Sequence, residues 1–237
     1  MKTIGDYILL MKHALGKTPA TGHDLYSTLN EAGRQLFTMH EWSWCHQGPY
    51  TLATVSGRDY IELPDDFGTV LHLYQPTTTV NAVQIVTLQE LALLRQSTVG
   101  VGSFAYSVAF TSSVPAANAG VAPTKRALIY PEPSANGTPA ILMLYRRAWV
   151  DVTEANENDY PSIDRDAEGL LSMLAQDRAY LMENKRPLFE PGVIDAEFAR
   201  VRMADGSKQW MVGPLRGGAG DRIYGIPRYP MNTVTMA

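Results

Sequence analysis

The densest run of chemistry-bearing side chains is His40-Glu41-Trp42-Ser43-Trp44-Cys45-His46. Imidazoles and thiolates are the usual zinc ligands, and a thiol beside an imidazole is the usual setting of a cysteine nucleophile. His40, Cys45 and His46 are thus candidate metal ligands, and Cys45 a candidate nucleophile. The spacing fits no common zinc pattern, and no second ligand pair follows. The competing reading is packing: Trp42 and Trp44 fill the corner where a helix meets the first strand. That reading is preferred here.

Asp65-Asp66 is a second candidate, a carboxylate pair for metal or acid–base work. Adjacent side chains diverge in regular structure, so the pair reads better as part of a Pro64-Asp65-Asp66-Phe67 turn. Asp151, Glu154, Glu157 and Asp159 lie in a linker-like stretch and read as a solvated loop, with a cation site as the minority view. Gly217-Gly218-Ala219-Gly220 could cradle phosphate, but it lacks the Gly-Lys-Ser/Thr ending of a P-loop and a strand-to-helix context. No Gly-x-Ser-x-Gly, His-Glu-x-x-His or dinucleotide fingerprint is present. His13, His23 and His72 are isolated. No catalytic residue, cofactor or metal is expected, and the protein reads as a non-enzyme.

The composition narrows the classes further. The chain has 237 residues, 45% hydrophobic and 19% charged, with a net charge of −4 and one cysteine. It is too apolar to be disordered throughout. No run of about 18 apolar residues is present, so no membrane-spanning helix is expected. Asp6, Lys12 and His13 interrupt the N-terminal apolar residues, which argues against a secretory signal. One cysteine excludes an intramolecular disulfide framework. The acidic balance argues against general phosphate-backbone binding.

The elements that would position these residues follow from periodicity. Ile4, Tyr7, Ile8, Met11, Ala14 and Leu15 form a helical stripe, with Thr3 as cap and Gly16 and Pro19 as stop. A second stripe (Leu25, Leu29, Ala32, Gly33, Leu36, Phe37) starts near Thr21 to Asp24 and ends near His40. Tyr50–Val55 and Tyr60–Leu63 flank Ser56-Gly57-Arg58-Asp59 and read as a hairpin. Further strands are expected at 69–74, 103–111, 126–130 and 140–146. A short helix over 88–96 follows the capping box Thr87-Leu88-Gln89-Glu90. After Pro161 a long amphipathic segment runs from Ile163 through Leu170, Leu174, Arg178, Leu181 and Met182 to a stop at Pro187. A shorter helix with Ile194, Phe198 and Val201 follows Pro191. No internal repeat is seen.

The expected fold class is α+β. N- and C-terminal helices form a bundle, an antiparallel sheet domain is inserted into it, and an extended C-terminal arm follows. The expected boundaries are 1–48 and 151–212 for the two helical parts, 49–150 for the sheet domain and 213–237 for the arm. The arm has five glycines and three prolines and shows neither helical nor strand period. Its Arg216, Arg222 and Arg228 against Asp221 make it +2, which leaves −6 on the body. Leu215, Ile223, Tyr224, Ile226 and Tyr229 are spaced anchors. A basic extended segment with such anchors has the chemistry of a docking arm, ordered by its partner.

The segment Trp42-Ser43-Trp44, then Tyr60-Ile61-Glu62-Leu63-Pro64-Asp65-Asp66-Phe67 and Val70-Leu71-His72-Leu73-Tyr74, resembles the head-to-tail adaptor proteins of tailed double-stranded DNA bacteriophages. The order of helices, inserted sheet, helices and arm is similar too. The resemblance implies a structural virion protein forming a homo-oligomeric ring of about twelve copies, closed head-to-tail. The arm, with Leu215, Arg216, Arg222, Ile223, Tyr224, Ile226, Arg228 and Tyr229, would dock on the portal protein. The other side of the ring would meet a tail nozzle or tube protein, with tail fibres as a further contact. Genomic DNA would pass transiently through the lumen, and no membrane would be involved. The implied location is the virion neck or tail, after assembly in the host cytoplasm. The alternatives are another neck or tail ring or head-completion protein, and an enzyme or metal protein with a site near Cys45 and His46.

Overall fold

The computed structural model describes residues 1–16, 24–75, 83–97, 101–102, 105, 107–113, 124–137, 140–190 and 192–211. Along the chain these form α1 (Ile4–Leu15), α2 (Leu25–Met39), β1 (His46–Leu52), β2 (Tyr60–Glu62), β3 (Phe67–Tyr74), β4 (Gln84–Ile85), α3 (Leu88–Ser97), β5 (Val101–Gly102), β6 (Ser107–Ser113), β7 (Thr124–Tyr130), β8 (Glu132–Pro133), β9 (Ile141–Arg147), α4 (Glu168–Asn184) and α5 (Val193–Met211). The class is α+β. The chain divides into two compact units, residues 1–45 with 149 onward, and residues 46–148.

In the helical unit, α1 opens on a reciprocal cap. The Thr3 hydroxyl accepts from Asp6 N, and the Asp6 carboxylate accepts from Thr3 N. This satisfies two of the donors that a helix start leaves open. The next two are met from far along the chain: Ile4 N donates to Asp159 O (3.0 Å) and Gly5 N to Glu157 O (2.8 Å). The acidic stretch after Asp151 is therefore more than a loop. Its acidic side chains face solvent while the carbonyls of Glu157 and Asp159 cap α1. Gly16 ends the helix in the left-handed region (φ 64°). Ile4, Tyr7, Ile8, Met11 and Leu15 are all buried, as are Leu25, Leu29, Ala32, Leu36 and Phe37 of α2.

Two α2 residues hold the point where the chain returns at Trp149. A Cβ on Gly33 would fall 2.3 Å from the Trp149 ring, so only glycine admits the indole. Glycine in mid-helix costs about 1 kcal/mol against alanine, and the packed indole offsets that cost. One turn earlier, buried Asn30 behaves like a strand partner. Its Nδ2 donates to Val152 O (2.9 Å), and its Oδ1 accepts from Val152 N (2.8 Å) and Trp149 Nε1 (3.0 Å).

The C-terminal helices depart from expectation in two ways. α5 spans 19 residues and is longer than α4, with 17. No proline follows Gly192 in this segment, so nothing in it stops the helix early. Leu181 and Met182 continue the apolar stripe of α4 but are 43% and 49% exposed.

In the sheet unit the strands are split over three sheets: β1-β9-β3, β2-β7-β6-β4 and β5-β8. β9 lies between β1 and β3 and pairs antiparallel with both, and its Ile141, Met143 and Tyr145 alternate into the core. The expected hairpin of β1 with β2 does not form. β1 pairs with β9 (Leu52 opposite Ile141) and β2 with β7 (Tyr60 opposite Leu128). Ser56-Gly57-Arg58-Asp59 still turns, with Gly57 at φ 74°. The turn is held sideways by Gly137 N on Thr54 O and by Ser56 N on Asn136 Oδ1, which sends the two strands to different partners. The β1-β9-β3 sheet is antiparallel, β2-β7-β6-β4 is mixed because β4 runs parallel to β6, and β5-β8 is parallel.

Candidate functional site

The arm residues Leu215, Arg216, Arg222, Ile223, Tyr224, Ile226, Arg228 and Tyr229 lie outside the described residues, as do His23 and Gly217-Gly218-Ala219-Gly220. What the structure describes is the helix that precedes them in the chain, α5, and the aromatic corner that holds it.

The corner follows from the end of α2. His40 is the C-cap in extended backbone, so the chain swings out and re-enters a 3-10 turn at Ser43–Cys45. Trp42 is fully buried, and its Nε1 donates to Leu36 O at 2.7 Å. Trp44 stacks on it with centroids 5.9 Å apart, and Phe37 meets the edges of Trp44 (5.1 Å) and Trp149 (5.8 Å). Such aromatic pairs add about 0.5–1.5 kcal/mol each beyond area burial.

α5 docks on this corner by one ring and one carboxylate. Phe198 sets its edge against Trp42, centroids 5.9 Å apart, and Val201 is buried beside α4. Asp205, 3% exposed, accepts from Ser43 N at 3.1 Å on both of its oxygens and from the Ser43 hydroxyl, and it lies 3.9 Å from His40 Nε2. The spacing Ile194, Phe198, Val201 leads, four residues on, to Asp205. That continuation is the signal in the sequence that could have picked out this acid.

The candidates for chemistry are dispersed among the elements. Cys45 is fully buried, and its N closes the 3-10 turn on Trp42 O. His46 opens β1 opposite Arg146. His13 sits in the last turn of α1, and His72 stacks on Tyr74. Among the described residues no three of His, Cys, Asp and Glu gather as a metal set.

Asp66 is a hub of the turn before β3. Its carboxylate accepts from the Tyr145 hydroxyl (2.9 Å) and from Arg147 Nε (2.8 Å), and its carbonyl accepts from Ala148 N. Burial, then the hydrogen bond to Asp66, pushes the Tyr145 phenol well above the usual tyrosine range. Lys125 Nζ donates to the Asp65 and Phe67 carbonyls. This arrangement fixes a turn.

The family model described as SU10 adaptor protein matches residues 4–216, and the chain belongs to that family. The curated proteins include no match to it. The matched region takes in α1 through α5 and reaches Leu215 and Arg216. Membership makes the protein a structural component of a bacteriophage virion neck that associates with other neck and tail proteins. No helix among the described residues is long and apolar enough to cross a membrane.

Proposed function

We propose that the protein is a ring subunit that joins the portal to the tail and docks on the portal through residues 213–237. The observation that carries this is the route of the chain. α5, held by Phe198 and Asp205, delivers the chain at Met211 into a basic segment with five apolar anchors. A segment of this composition buries little on itself and gains order from a partner. Copies in a head-to-tail ring each present one arm, and many modest contacts then act together. The ring's other face receives the nozzle or tube, with fibres at its flank. A body of charge −6 suits a duct through which DNA passes without being gripped.

The test uses portal particles and the full chain. Deleting 213–237 is expected to abolish binding. Tyr224→Ala with Tyr229→Ala is expected to weaken it about tenfold or more, the scale of aromatic anchors. Unchanged binding in the deletion overturns the reading. Imaging of the bound particles gives the copy number, for which about twelve is expected.

A further inference from the structure

The one charged side chain in the buried class among the described residues is Asp205. It sits on α5, six residues before the helix ends at Met211. Adhesion alone does not account for it. Burying a carboxylate costs more than burying an apolar group, and buried ion pairs are often matched or bettered by packed hydrocarbon. An apolar residue at this position would have continued the stripe of Ile194, Phe198 and Val201.

What a carboxylate adds is direction. Apolar contact is non-directional, so Phe198 and Val201 alone would leave α5 free to roll and slide against the corner. Hydrogen bonds fall off steeply with angle. Both Asp205 oxygens are aimed at one backbone N–H, that of Ser43 at the start of the 3-10 turn, and the Ser43 hydroxyl closes on the same carboxylate. The His40 ring faces it from the C-cap of α2 while meeting the edge of Trp42. Phe198 and Asp205 are two turns apart, about 10 Å at the helical rise. Two fixed points that far apart determine the axis of a helix. The end of α5 lies only about 9 Å beyond the second of them.

We propose that Asp205 is the positioning residue of the arm: through Ser43 and His40 it fixes the rotation and direction of α5, and so where the chain leaves the bundle. Its use in assembly rests on the reading that the arm docks on the portal. Identical copies in a ring need arms that start from equivalent places, and a helix free to roll would scatter them.

The experiment places nitroxide labels on the full chain at Lys12→Cys and Met203→Cys, both exposed, while the native Cys45 is buried. Label-to-label distances are then compared for the parent, Asp205→Asn, Asp205→Leu and Ser43→Ala. The parent is expected to give one narrow distribution. Asp205→Asn and Asp205→Leu are expected to widen it about twofold or shift it by more than one residue's rise, about 1.5 Å. Ser43→Ala should do the same to a smaller extent, with helical circular dichroism retained in all three. Unchanged distances in the Asp205 variants overturn the proposal. Loss of helical signal in Asp205→Asn also overturns it, since the residue would then be holding the fold itself. Portal binding is read on the same samples, and Asp205→Asn is expected to bind about tenfold more weakly. Parent-like binding with widened distances overturns the role in docking. A parent that does not bind portal at all overturns the portal reading, and the distances still decide what Asp205 does.

Discussion

The two units use buried and half-buried polar side chains differently. In the helical unit every helix satisfies most of its own backbone, so nothing in the main chain says how one helix sits against another. Asn30 and Asp205 supply that information, reaching Val152 and Ser43 across 122 and 162 residues. In the sheet unit the ladders of β9 with β1 and β3 already fix the register, and polar side chains such as Asp66 and Lys125 secure turns. Where the backbone specifies geometry, side chains finish it. Where the backbone is silent, a few side chains carry it.

The sharpest test sets Asn30→Leu against Gln75→Leu. Both amides are buried and act as stand-in strand partners, but among the described residues Asn30 serves three groups and Gln75 two, Ala105 N and O. Asn30→Leu is expected to cost about 3 kcal/mol or more, and Gln75→Leu about 1–2 kcal/mol, both read by urea unfolding. An equal or larger loss for Gln75→Leu breaks the comparison.

A middle-sized effect separates two buried tyrosines. Among the described residues the Tyr7 hydroxyl has no hydrogen-bond partner, while that of Tyr145 donates to Asp66. At neutral pH, Tyr145→Phe is expected to cost about 1–2 kcal/mol and Tyr7→Phe close to nothing. Both phenols are pushed above the usual tyrosine range, Tyr7 chiefly by burial and then by Glu168 and Asp6. The fold therefore needs the neutral phenols. Their contribution is intact below about pH 10, where the unfolded phenol titrates, and is lost as pH rises beyond it. Either Phe variant should flatten the alkaline fall in stability, and an unchanged alkaline slope in both sinks the assignment.

The smallest effect concerns caps. Thr3→Ala should lower global stability by about 1 kcal/mol or less. Thr87→Ala breaks the matching cap of α3, where Thr87 N and Oγ1 donate to Glu90 and Glu90 N donates back to Oγ1. It should speed amide exchange over α3 alone. A global change from Thr87→Ala would show that the sheet unit leans on its helix more than its ladders suggest.

What was legible in the sequence was local. Thr3 and Asp6, Asp24 at the start of α2, and the Thr87 box each write their caps in adjacent residues, and those helix starts are where they were expected. The Trp42 and Trp44 corner was legible because large rings must be buried. The hairpin of β1 with β2 was misread because a turn signal states that the chain bends, not which strands then pair. β9 and β7 lie some 70 residues or more away in sequence, and nothing near Ser56 names them. Asp205 and Asn30 were overlooked for a related reason: a polar residue on an apolar stripe looks like the end of the stripe until its partner is known.

The helical unit is interrupted after Cys45 and resumes at Trp149. During synthesis this imposes a delay. At about 5–20 residues per second, roughly 7–29 s pass between the emergence of α2 and that of α4, which covers its apolar face. Throughout that interval the nascent chain carries Leu29, Leu36, Phe37 and Trp42 without the helix they will pack on. The sheet unit, whose closing strand β9 is its last element, is complete before the wait ends. A chaperone that holds apolar segments on the ribosome would therefore find its longest-lived target in the first forty or so residues, and slowing translation within the sheet-coding stretch should lower the soluble yield more than slowing it after α4.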